Sequence, residues 1–374
     1  MSAPRLLIVS FSTLVEDARV RKQIEEFAND FHVVTCGYGP APDGVGEHFA
    51  LSQEASAWYF DPALLGVRQY QRAYWKNSAV HQARHALTGQ SFDAVIANDY
   101  ETVPLALELN PSRGVLADLH EYSPSQKENL LRWRLVISPF RSWICQTYLS
   151  ECAAVTTVGQ GIAARYARSF GIDPVVVRNA TPLADLEPTP AHTPLRLVHH
   201  GVPHRHRNLE VMLDAVSAAS TDLTFDLFLV RTDTAYLEEL EEKYGPDPRI
   251  RFHPPVPYTQ LVHTLNHYDV GVFSLPPVTF NYRMALPNKF FDFVQARLGI
   301  IVGPSPEMAN LVRRYRLGAI APDFTAEGLT RLLERLTPDD VNLWKHNSDV
   351  AARHLHAGAE VSKWRALIQA MLSQ

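Results

Sequence analysis

A chain of 374 residues has the length of two ordinary domains. Its 46% hydrophobic and 20% charged residues are those of a soluble globular protein, and no apolar run nears the ~18 residues of a membrane span. A net charge of −5 speaks against a nucleic-acid partner. Cys36, Cys145 and Cys152 form no Cys-x-x-Cys pair, which fits reduced thiols in a cytoplasm. The first residues, Met-Ser-Ala-Pro-Arg, lead directly into a strand and lack the form of a signal peptide.

The predicted elements open as strand, helix, strand. Residues 5–12 are a continuous apolar run, the pattern of a buried parallel strand. Asp17 can cap a helix over 17–29 whose inner stripe is Val20, Ile24 and Phe27, and residues 32–36 are the second strand. Residues 37–57 read as a polar loop. Residues 58–88 read as one or two amphipathic helices with an aromatic and basic face (Trp58, Tyr59, Arg68, Tyr70, Arg72, Tyr74, Trp75), a face that can meet a lipid-linked acceptor or a membrane surface. The plain alternative is core aromatics with snorkelling arginines.

Strands over 93–97 and 114–117 end in Asp99 and in Asp118-Leu119-His120-Glu121. Ligands of open α/β sheets bind beyond the carboxyl ends of strands, so these groups point to one site edge. A histidine beside carboxylates can bind sugar hydroxyls or accept a proton. Residues 123–148, with Lys127, Arg132, Trp133, Arg134, Phe140, Arg141 and Trp143, predict a helix broken near Ser138-Pro139 and are a second candidate for acceptor or membrane contact. The strand at 154–158 is followed by Gly159-Gln160-Gly161-Ile162-Ala163-Ala164, which matches a dinucleotide fingerprint. The next strand, 174–177, ends in Arg178-Asn179 and not in the acid that a ribose needs. The glycines are therefore read as a tight turn, with NAD-dependent oxidoreduction as the alternative.

A proline-bearing linker over 183–194 separates this half from a second one. A strand over 195–199 leads to a loop, 201–209, and a helix to Ala219. His199, His200, His204 and His206 invite a zinc reading, but their spacing is not that of a zinc site. Arg205 and Arg207 ahead of a helix are better read as a diphosphate clamp. Strands follow over 225–230, 250–253 and 269–273, with a turn at 254–257. Residues 281–287 are a loop, and Pro287 suits the start of a helix over 289–296. Gly299 ends that helix, 300–302 is a strand, and a further helix begins at Met308. A loop feeding a helix N-terminus offers free N–H groups and the positive dipole end to phosphate, and Asp292 adds a carboxylate one turn in.

The run Pro287-Asn288-Lys289-Phe290-Phe291-Asp292 resembles the donor-binding segment of GT-B glycosyltransferases of the family 4 type. Asp17-Ala18-Arg19-Val20 and Asp118-Leu119-His120-Glu121 resemble stretches of that family's N-terminal domain. The resemblance implies a ribose-binding role for Asp292, in the place of a glutamate. It implies a diphosphate contact for Gly201 with Arg207, Arg205 being a nearby alternative, and a nucleobase contact at Val256. Leu286, Pro287, Asn288 and Lys289 would complete the donor site. Met284 stands where the family's fuller motif has a second glutamate.

The expected fold is α/β, GT-B, with two Rossmann-like doubly wound domains facing a central cleft. Residues 1–182 would bind the acceptor, 195–353 the nucleotide sugar, and 354–374 would form a helix crossing back to the first domain. The expected activity is transfer of a sugar from a nucleotide-diphosphate-sugar, UDP favoured over GDP, to a hydroxyl of a glycan, lipid-linked intermediate or secondary metabolite. The resemblance implies retention of configuration; no metal or other cofactor is needed if Arg207 and Lys289 carry the phosphate charge. His120 and Glu121 join them as catalytic candidates, and Asp17, Arg19, Asp99, Asp118 and His120 are the acceptor-binding candidates. An inverting enzyme would need a base from His120, Glu121 or Asp17. A non-catalytic sugar-nucleotide binding protein is the third reading.

Overall fold

The computed structural model describes residues 3–373. The chain divides into two compact units: one of Met1–Arg178, Thr279–Asn281 and Glu360–Gln374, the other of Asn179–Val278 and Tyr282–Ala359. Each is built on one parallel sheet flanked by helices.

The first unit holds β1 (Arg5–Thr13), β2 (His32–Tyr38), β3 (Glu47–Leu51), β4 (Ala94–Asn98), β5 (Val115–Leu119), β6 (Ala154–Thr157) and β7 (Val175–Val176). Their order is β3-β2-β1-β4-β5-β6-β7, and the described pairs are parallel. Leu6, Leu7, Ile8 and Val9 of β1 are all fully buried, as a central parallel strand covered on both faces requires. Trp364, Ile368 and Met371 of the terminal helix Ala357–Leu372 complete this unit's core against Leu6, Phe27 and Ile96.

The second unit holds β8 (Leu195–Gly201), β9 (Leu223–Leu229), β10 (Ile250–His253), β11 (Val270–Phe273), β12 (Gly299–Val302) and β13 (Gly318–Ile320), ordered β10-β9-β8-β11-β12-β13. The strand order reverses at β8, between β9 and β11, which is where an open sheet makes its ligand crevice. Gly271 of β11 lets the helix Asn288–Gln295 pack close, because a Cβ there would run into the Phe293 ring. That close approach fixes the height of Lys289 above the sheet.

Several elements differ from expectation. β3 lies inside the predicted 37–57 loop; it is a half-exposed edge strand with no apolar run to betray it. Residues 58–88 form three short helices, Pro62–Gly66, Tyr70–Trp75 and Ser78–Ala86. Much of their aromatic face is core: Tyr74 is fully buried, and Phe60 and Tyr70 pack on Phe140 at 4.7 and 5.7 Å. Trp58 and Tyr59 remain 61% and 68% exposed. Before Ser138 a π-helical turn, Trp133–Ile137, runs straight into the helix Ser138–Tyr148, with Pro139 in the first turn, where its missing N–H is harmless. Gly299 begins β12 and does not end the preceding helix; Arg297, at φ 60°, makes that turn.

Candidate active site

Lys289 stands in the first turn of its helix, and its side chain is buried. Its Nζ lies 3.3 Å from His199 Nε2 and 4.3 Å from the centre of the Phe273 ring. His199 Nδ1 is 2.9 Å from the Val272 carbonyl oxygen. Burial, and then Lys289 itself, keeps His199 well below the usual histidine range, so the imidazole is neutral. Nδ1–H then donates to Val272, and Nε2 is left to accept from Lys289. Burial and the neighbouring Arg207 also hold Lys289 well below the ordinary lysine range, against a smaller opposing pull from Asp292. The ammonium lacks a close counter-charge and is poised to be completed by an anion.

Gly201, at the end of β8, has φ +123°, a conformation natural to glycine. A Cβ there would stand 3.2 Å from Lys289 Nζ and 4.0 Å from Arg207 Nη1. Lys289 and Arg207 thus flank a bare piece of backbone at the carboxyl end of the central strand. Arg207 is held by a 3.0 Å bond from Nη1 to the Val202 carbonyl. Arg205 is turned away: it is exposed and pairs with both oxygens of Glu239 at 2.6 and 2.7 Å. The two arginines that the sequence leaves as alternatives are separated by this geometry, and Arg205 leaves the cluster.

Leu286 is buried in the second unit's core and Val256 packs beside it, while Pro287 is the N-cap of the Lys289 helix and Asn288 its first residue. Asp292 is only 2% exposed. Its Oδ1 accepts from Thr181 Oγ1 at 2.6 Å, and its Oδ2 lies 3.5 Å from His200 Nε2. A ribose hydroxyl bound to Oδ1 would compete with Thr181 for that oxygen. Met284 is half-buried. The histidines do not converge on a common point: His200 packs edge-on to Phe293 and His204 stacks on His206 at 6.4 Å.

In the first unit, Asp99 and His120 meet at the ends of β4 and β5. Asp99, at φ 60°, accepts from the His120 backbone N–H at 2.9 Å and lies 3.4 Å from its Nδ1. His120 Nε2 is 3.2 Å from Asn98 Oδ1 and 3.6 Å from Asp118. Burial alone would lower this histidine, but Asp99 and Asp118 override it and push it up to about 9. The two carboxylates thus favour the imidazolium form of His120, which donates hydrogen bonds and does not accept a proton. Glu121 is raised by burial and then by Asp99, up to about 7. Its Oε1 accepts from Gln126 and its Oε2 from Asn281 Nδ2 at 3.1 Å. Of the two neighbours it is Glu121 that is tuned for proton acceptance near neutrality.

Arg19 and Asp118 require a further correction. They are 3% and 0% exposed, and Asp118 takes two bonds from Arg19 at 2.6 and 2.7 Å, one from Gln23 at 2.7 Å and one from Thr156 at 2.6 Å. Arg19 also donates to the Val177 carbonyl and lies over the Trp364 ring. Neither presents a surface to an acceptor; the pair holds β5 and the first helix together under His120. Asp17 caps that helix, its Oδ1 accepting from the N–H groups of Arg19 and Val20. The turn at Gly159 caps the helix Gln160–Phe170, and β7 beyond it leads to Arg178, which is paired with Glu360. The strand end itself carries no acid for a dinucleotide ribose, and the Glu360 carboxylate beside it is taken by Arg178.

Sequence reasoning missed His199 as a partner of Lys289, because that role depends on a carbonyl 73 residues away. It also missed Gln126, Asn281 and Thr181, each a polar side chain without a motif around it.

No protein-family model matches the chain, and no curated protein matches it in sequence. Solved structures do. HepE of Anabaena, in complex with UDP-glucose, superposes with a TM-score of 0.71 at 11% identity, covering 99% of this chain and 100% of that one. Sucrose-phosphate synthase from Thermosynechococcus elongatus gives 0.72 at 14%, over 99% and 100%. WaaG, a glycosyltransferase involved in lipopolysaccharide biosynthesis, gives 0.62 at 11%, over 96% and 98%. At such identities the likeness carries the fold, which is the GT-B fold expected from the sequence.

Proposed function

We propose that the chain is a glycosyltransferase that moves a sugar from a UDP-sugar to a hydroxyl acceptor. The observation that carries this reading is the cluster of Lys289, Arg207 and Gly201 at the switch point of the second sheet. Glycosyl transfer releases a diphosphate anion, and positive groups fixed before the reaction stabilise it without reorganisation. Arg207, held by Val202, is such a group, and Lys289, held by His199 and Phe273, becomes one when the donor's diphosphate draws it into its charged form. Together they carry the leaving charge, and the reading needs no metal. UDP-glucose in the HepE complex supports UDP as the nucleotide.

The acceptor belongs to the first unit in this reading. Glu121, ionised, accepts a hydrogen bond from the acceptor hydroxyl and orients it, and the cation of His120 beside it favours that ionised form. The leaving phosphate itself would take the proton in a front-face, retaining reaction, as the resemblance implies. Asp292 keeps the ribose-side role with a ribose hydroxyl competing with Thr181 for its Oδ1. Among the described residues no helix is long and apolar enough to cross a membrane; the proposed location is cytoplasmic, with peripheral membrane contact through the exposed Trp58, Tyr59, Leu130, Leu131 and Leu135. Thermal-shift measurements with UDP, GDP, ADP and NAD test the reading: UDP should raise the Tm most, whereas a shift with NAD and none with any sugar nucleotide's diphosphate would overturn it.

A further inference from the structure

A cavity of about 340 Å³ opens in the first unit, walled by Trp58, Tyr100, Trp133 and Phe140 and floored by Gln126 and Arg141. Tyr100 follows β4 and Gln126 follows β5, so the cavity lies beyond the carboxyl ends of those strands. Arg141 is the unusual member. Its side chain is 6% exposed, and its guanidinium lies between two rings, 4.7 Å from the centre of Tyr100 and 4.3 Å from that of Trp133. Nη1 donates to the Ser123 carbonyl at 3.3 Å and to Gln126 Oε1 at 2.5 Å. Nε is buried and has no hydrogen-bond partner. Lys127, exposed at the rim, places a second cation 5.9 Å from the Trp133 ring.

Among the described residues no carboxylate stands within ion-pair distance of this guanidinium; Glu121, raised to about 7, acts on it only from farther off, across Gln126. Glu101 is pushed up to about 8 by burial and then by Asp99, so it is uncharged at neutral pH. Glu128 is engaged with the Phe280 N–H. A buried guanidinium without a carboxylate partner, with an orphaned N–H, is costly unless an anion completes it. Flat aromatic walls around it suit the apolar face of a sugar ring. Gln126 bonds both to Arg141 and to Glu121, so a ligand anchored here lies beside the proposed acceptor-orienting carboxylate.

We propose that this cavity is the acceptor subsite and selects an acceptor bearing an oxyanion, a phosphate or a carboxylate, next to a ring stacked on Trp58 and Trp133. The inference rests on the glycosyltransferase reading for the word acceptor, but oxyanion binding is measured separately from it. Tryptophan fluorescence of the full chain is titrated with glucose 6-phosphate, glucuronate, uncharged glucose and farnesyl phosphate, and UDP is titrated in parallel. At least one anion should bind with ten-fold or greater preference over glucose. Arg141→Lys, which keeps charge but not the planar stack, should weaken that anion about ten-fold, and the exposed Lys127→Ala several-fold, with UDP affinity unchanged. Preference for a sugar anion assigns a soluble or glycan acceptor; preference for farnesyl phosphate, with the same dependence on Arg141, assigns a lipid phosphate to the same site. Equal binding of glucose and the anions, no binding of any anion, or affinities that neither substitution alters would overturn the proposal. Failure of UDP alone to bind would count against the glycosyltransferase reading and leave the oxyanion result standing.

Discussion

Lys289 Nζ sits 3.3 Å from the lone-pair nitrogen of His199, a histidine whose other nitrogen is fixed on the Val272 carbonyl. The lysine is thereby aimed without being neutralised. Burial and Arg207 favour its uncharged form, and a diphosphate arriving beside it would favour the charged one.

Proton uptake on nucleotide binding follows from that arrangement. At mildly alkaline pH, the enthalpy of UDP binding should vary with the ionisation enthalpy of the buffer, in the sense of a proton taken up by the complex. Lys289→Met should abolish the dependence. Calorimetry in two buffers of different ionisation enthalpy checks it, and buffer-independent heats in the wild type would remove Lys289 from the phosphate.

The pH dependence of stability is set partly by His120. Its folded value is raised to about 9, above the roughly 6.5 of an unfolded histidine. The contribution is therefore complete below about 6.5 and is lost as pH rises through about 9. Denaturant unfolding should show stability declining across that window, and His120→Asn should flatten the decline.

Arg19→Met should destabilise the protein by about 3–5 kcal/mol, because it leaves the Asp118 carboxylate buried without its counter-charge. Burial would raise Asp118, but Arg19 and then His120 hold it well below the usual carboxylate range. Its contribution is present above the unfolded value of about 3.9 and is lost only as pH falls through the lower folded value. Urea titrations of Arg19→Met and of the Arg19→Met/Asp118→Leu double variant check this, the double variant recovering part of the loss.

Glu121 must be ionised to accept from an acceptor hydroxyl, and its value is about 7. The kcat/KM for acceptor should accordingly fall as pH drops below about 7. Glu121→Gln should lower it about 10- to 100-fold, the size of a lost hydrogen bond to a charged group, and flatten the profile. Initial rates from pH 5.5 to 8.5 test both.

The sheets were legible in the sequence because parallel central strands are continuous apolar runs: β1 and β11 stand out, whereas the half-exposed β3 and the three-residue β13 do not. That Lys289 opens a helix and that Arg205 and Arg207 lie in a basic loop was legible, and the resemblance favoured Arg207. Which of two arginines points inward was not, since it depends on Glu239, 34 residues from Arg205, capturing that side chain. The strand-end cluster Asp118-Leu119-His120-Glu121 was found as a unit, but its division of labour was not legible, because alternation puts Asp118 and His120 on the same side. Asp118 and His120 flank one strand position, and only burial decides that the first is a buried partner of Arg19 and the second is half-exposed. Arg141 was legible only as one cation of the aromatic and basic stretch 123–148; its place against Tyr100, Gln126 and Trp133 was not, because these come from separate elements.

The central claim is that Lys289 and Arg207 bind the diphosphate of the donor. Calorimetric titration of UDP into the wild type, Arg207→Ala, Lys289→Met and Arg205→Ala tests it most directly. A charge-assisted contact contributes about 1.5–3 kcal/mol, or roughly 10- to 100-fold in affinity. The account predicts losses of that size for Arg207→Ala and Lys289→Met, and wild-type affinity for Arg205→Ala, whose guanidinium is occupied by Glu239. UDP affinity unchanged in the first two variants, or lost in the third alone, would contradict it.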